Sequence, residues 1–65
     1  MSKKIGELSS REYAALGTPQ EAGNFLAPGL NGKGIQFYAR NRNGTVEIYA
    51  KFPEVQEYRF QEYLR

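Results

Sequence analysis

The chain has sixty-five residues, a formal net charge of +2, and no cysteine or histidine. That length allows one domain with a thin core, in which roughly 60% of the unfolded chain's surface leaves water. The missing residue types exclude disulfides and cysteine-based zinc sites, and remove the commonest general base and transition-metal ligand.

Residues 1–8 read as a flexible arm. Met1-Ser2-Lys3-Lys4 is basic, but Ile5-Gly6-Glu7-Leu8 does not form the apolar region of a secretory leader. No apolar run approaches the ~20 residues needed to span a bilayer. The expectation is a soluble cytoplasmic protein without membrane contact.

Ser9-Ser10-Arg11-Glu12 is a capping-box pattern, with Ser9 as N-cap and Glu12 at the third helical position. Gly17 is a natural end for the short helix that follows. Thr18-Pro19-Gln20-Glu21 repeats the pattern, with proline at the favoured first helical position. This second helix is expected to present Ala22, Phe25 and Leu26 on one face. Gly23 weakens it by roughly 1 kcal/mol relative to alanine.

Residues 27–34, Ala-Pro-Gly-Leu-Asn-Gly-Lys-Gly, are expected to form a loop, with Leu30 tucked beneath a sheet. Gly29-Leu30-Asn31-Gly32 spells the GxxG of nucleic-acid clamps, although here it leads into a strand. Gly32-Lys33-Gly34 lacks the Ser or Thr of a Walker loop. Lys33 still enters the candidate site, because glycine-rich backbone N–H groups can cradle a phosphate.

The clearest pattern follows. Ile35, Phe37 and Ala39 alternate with Gln36, Tyr38 and Arg40. Val46, Ile48, Ala50 and Phe52 alternate with Thr45, Glu47, Tyr49 and Lys51. Asn43-Gly44 between them predicts a β-hairpin with a type I′ turn, which requires positive φ twice. A two-residue turn fixes the register. Phe37 then faces Ala50 and Ala39 faces Ile48, while Tyr38 faces Tyr49, Arg40 faces Glu47 and Gln36 faces Lys51. Pro53 ends the second strand. Residues 54–64 are rich in helix formers and predict a C-terminal helix, with a third antiparallel strand as the alternative because Tyr58-Arg59-Phe60-Gln61 alternates. The whole is a single small α+β domain, residues 1–65: two short N-terminal helices, the hairpin, and the C-terminal element.

The charge is unevenly placed. Lys33, Arg40, Arg42 and Lys51 stand against Glu47 alone over residues 33–51. The outward hairpin face therefore combines Tyr38 and Tyr49 with Arg40, Arg42 and Lys51. Flat rings framed by cations grip single-stranded nucleic acid by stacking and phosphate contacts. Lys33, Tyr38, Arg40, Arg42, Tyr49 and Lys51 are the candidate nucleic-acid-binding residues of a small non-enzymatic protein. Tyrosine and arginine equally suit a protein-interaction or inhibitor module with a protein partner. A third alternative is a small histidine-free nuclease or toxin domain, with Glu47 as base beside cations. No catalytic residue, metal or cofactor is assigned. Chains this small often gain stability by association, so a homo-oligomer is within expectation.

Overall fold

The computed structural model describes residues 2–30 and 32–52. In chain order these form strand β1 (Ser2–Ser9), helix α1 (Ser10–Leu16), helix α2 (Pro19–Leu26), one 3-10 turn (Pro28–Leu30), strand β2 (Gln36–Arg42) and strand β3 (Thr45–Lys51). The sheet is antiparallel with order β1-β3-β2, so the last strand in sequence is central. The fold is small and α+β, with two helices and three strands among the described residues.

Both helices start where the side chains dictate. The Ser9 hydroxyl accepts from Glu12 N at 3.1 Å, and the Glu12 carboxylate accepts from Ser9 N at 3.0 Å. Thr18 Oγ1 accepts from Glu21 N at 3.1 Å, with Pro19 opening α2. Gly17, at φ 92°, closes α1 through a bond from its N–H to the Tyr13 carbonyl. The hairpin turns at Asn43 and Gly44, with φ of 53° and 80°, and it keeps the register that a two-residue turn imposes. Ser10 Oγ donates to the Gly44 carbonyl at 2.8 Å, tying the start of α1 to the hairpin tip.

One face of the sheet is the core. Ile5, Leu8, Ala22, Ala27, Leu30, Ile35, Phe37, Val46, Ile48, Ala50 and Phe52 are buried together. Leu30, from the 3-10 turn, is buried within the same cluster. The contact face of α2 differs from the expected stripe. Ala22, Gly23 and the capping Ala27 are buried, while Phe25 is 44% exposed. The cause is Gly23, whose lack of a side chain lets α2 settle onto the ring of Phe37. Its closest approach to the sheet is thereby shifted away from Phe25.

Two expectations about the chain ends fare differently. The C-terminal helix, and its alternative strand over residues 54–64, lie outside the described residues. The flexible arm expected over residues 1–8 is corrected: residues 2–9 are β1, paired along the central strand from Ser2 opposite Lys51 to Ser9 opposite Thr45. The pairing shifts between Lys4 and Gly6. Ile5 and Leu8 are three apart, so an unbroken strand would send them to opposite faces. The extra residue at the shift lets both reach the core.

Candidate functional site

The second face of the sheet carries the polar residues of all three strands. Its rows follow from the register. Lys4, Tyr49 and Tyr38 lie side by side. Glu7, Glu47 and Arg40 form the next row, and Ser9, Thr45 and Arg42 the one beside the turn. Lys51 and Gln36 pair at the other end.

The tyrosines are brought together as neighbours on β2 and β3. Their ring centroids are 5.1 Å apart with 8° between planes, a stacked pair. Tyr38 is the outer member and is 42% exposed. Arg40 and Arg42 follow it on β2 and are exposed, as is Lys51 at the far end of β3. Lys33 is set apart from these five. It lies in the turn before β2, with its N–H bonded to the Leu30 carbonyl at 3.2 Å.

Glu47 sits at the centre of this face and is only 4% exposed. Burying a carboxylate is costly unless it is paired and hydrogen-bonded, and here both oxygens are bonded. Lys4 Nζ lies 3.0 Å from Oε2, and the Tyr49 hydroxyl donates to Oε1 at 3.0 Å. Arg42 Nη1 stands 4.0 Å from Oε2. The expected pair of Glu47 with Arg40 is realised in backbone register, while the carboxylate itself is taken by Lys4 and Arg42. The reason is topological. Glu47 is on the central strand, so a cation from β1 competes for it with those of β2.

Lys4 also bonds Glu7. Glu7 and Glu47 are register partners, a like-charge juxtaposition that destabilises a sheet unless a cation sits between them. Lys4 does so. The Lys4 bond holds the Glu47 carboxyl below the ordinary range, helped by the Tyr49 hydroxyl and opposed by burial. Glu7 and then Glu47 hold the Lys4 ammonium above its ordinary value. An open depression of about 340 Å³ lies over this cluster, lined by Lys4, Glu7, Arg42, Asn43, Thr45 and Glu47.

Lys4 and Glu7 were not legible as part of the site. Their signal was the pair Ile5 and Leu8, whose odd spacing hid the strand that carries them. Among the described residues no group of three or more acidic, His or Cys side chains is placed to hold a metal. No helix among them is long and apolar enough to cross a membrane.

The chain matches no protein-family model, no curated protein and no solved structure.

Proposed function

We propose that the protein binds single-stranded nucleic acid on the outer face of its sheet and catalyses no reaction. The observation that supports this reading is the stacked Tyr38–Tyr49 pair on a polar face, with Arg40, Arg42 and Lys51 around it. Base–aromatic stacking and backbone neutralisation are the two energies that such binding uses. Glu47, the one carboxylate of the hairpin, shares the Lys4 ammonium with Glu7 and has Arg42 4.0 Å away, which moderates its repulsion of phosphate. The same pairing speaks against a nuclease. A general base needs an affinity for protons, and the Lys4 bond lowers that of Glu47.

The test is fluorescence anisotropy with a labelled single-stranded oligonucleotide and the full chain. If Arg40, Arg42 and Lys51 neutralise two or three phosphates, affinity should fall roughly 25- to 125-fold between 20 and 200 mM salt. Arg40→Ala with Arg42→Ala should weaken binding at low salt and flatten that dependence. Undetectable binding at 20 mM salt overturns the reading.

One observation favours a second reading, a protein-interaction module. Among the described residues β2 is a regular edge of seven paired residues, whereas the β1 edge is blunted by its register shift and by Lys3 and Lys4. Regular edges are templates for an added strand. This reading expects a stoichiometric protein partner that survives nuclease treatment and no salt-sensitive oligonucleotide binding.

A further inference from the structure

We infer that the tyrosine pair accepts one nucleobase, stacked on the outer face of Tyr38 beyond the edge of β2. The inference rests on the nucleic-acid reading above and specifies its ligand: a single unpaired base within a strand, rather than an array of bases.

The direction of the stack carries it. Tyr38 and Tyr49 are register partners on adjacent strands. Their centroid spacing of 5.1 Å is close to the ~4.8 Å that separates paired strands. Near-parallel rings this close cannot lie side by side in one plane, so the pair is stacked across the strands rather than laid flat on the sheet. Rings lying flat on a sheet would each offer a face to solvent, and so two platforms. Here each tyrosine spends one face on the other. The second face of Tyr49 looks toward β1, where Lys4 occupies the same row. The second face of Tyr38 looks off β2, beyond which no strand follows among the described residues. Among the described residues the open face is therefore that of Tyr38, a residue that is 42% exposed.

The neighbours suit a nucleotide in that place. Arg40 and Arg42 follow Tyr38 on the same face at two-residue steps, about 6.8 Å of strand each. That is the order of one nucleotide step of an extended backbone. Arg42 is 65% exposed in its side chain and stands 4.0 Å from Glu47, so it can turn to a phosphate without breaking a short bond. Glu47 acts as a positioning residue. It accepts from the Tyr49 hydroxyl while Lys4 holds its other oxygen, and this fixes the ring on which Tyr38 rests.

The experiment compares three six-unit single strands on the full chain at low salt: a fully abasic backbone, the same backbone with one thymine, and one with thymine throughout. The single thymine should bind tenfold or more tighter than the abasic strand. The all-thymine strand should gain at most a further factor of about six, the number of registers it offers. Tyr38→Phe should hold these ratios, and Tyr38→Ala should reduce the single-thymine strand to the abasic level. Ring-proton shifts of the wild-type tyrosines give a second measurement should Tyr38→Ala fail to fold: Tyr38 should move most on binding, and Tyr13 should stay in place. No binding of any strand defeats the nucleic-acid reading itself. Binding that is equal for the abasic strand, that multiplies with every added base, or that leaves the Tyr38 ring unmoved defeats the one-base inference and leaves the broader reading standing.

Discussion

Gly23 lies inside α2, where glycine is worth about 1 kcal/mol less than alanine by helix propensity alone. Propensity therefore recommends Gly23→Ala as a stabilising change. The packing reverses that sign. A β-carbon at this position would stand 2.2 Å from the ring of Phe37, a buried side chain of β2. That is far inside contact distance, and the neighbour is a rigid ring rather than the free end of a flexible chain. Either α2 lifts from the sheet or Phe37 leaves its position. Overpacking of this kind typically costs about 1–3 kcal/mol. Gly23→Ala is expected to lower the urea midpoint by a corresponding amount. A midpoint equal to or above wild type means that α2 does not rest on Phe37 as described. Glu47 is the same lesson in polar form. Its partner across the hairpin was readable from the turn, but the closest cation, Lys4, comes from a strand at the other end of the described chain.

At the scale of elements, β1 separates an ordered edge from a loose arm. Leu8 is 4% exposed and packs in the core opposite Val46. Truncating a buried leucine costs about 2–5 kcal/mol. For a 65-residue chain that is a large share of the total, roughly 3–10 kcal/mol. Leu8→Ala should therefore unfold much of the population in modest urea. The same change in an unpacked arm would move the midpoint by less than about 0.5 kcal/mol. Amide exchange offers a check without mutation, since the N–H groups of β1 that pair with β3 should be protected. The elements readable beforehand were those whose evidence is local. Ser9 with Glu12 and Thr18 with Pro19 announce helix starts within four residues, and Asn43-Gly44 announces a turn within two. β1 has no such local sign. It pairs only with a strand far along the chain, and its shift between Lys4 and Gly6 breaks the alternation by which strands are recognised. The candidate site was legible to the same extent. Tyr38, Tyr49, Arg40 and Arg42 follow from the hairpin, while Lys4 and Glu7 required the topology.

At the scale of the whole molecule, the ionic cluster makes stability depend on pH at both ends. The carboxyls of Glu47 and Glu12 are held below the ordinary range, the first chiefly by Lys4 and the second chiefly by the Ser9 backbone N–H. A depressed carboxylate favours the folded state wherever the unfolded chain is also ionised. Its contribution is thus complete at neutral pH and lost as pH falls through the folded-state value, from about pH 4 downward. Lys4 is raised, chiefly by Glu7. Its contribution is complete below the ordinary lysine value and lost as pH climbs through the raised one. Melting temperature should form a plateau between these limits. Glu47→Gln isolates the central group, since glutamine keeps a similar shape and cannot ionise. The variant should melt below wild type at pH 7, because Lys4 and Arg42 then face no charge at that position. As pH falls the gap should narrow, and it should close once Glu47 is protonated in the wild type. Glu12 titrates alike in both proteins and drops out of the comparison. A gap that stays constant from pH 7 to pH 2 would mean that the charge of Glu47 contributes nothing to stability, and that the variant is weakened by its altered side-chain contacts alone.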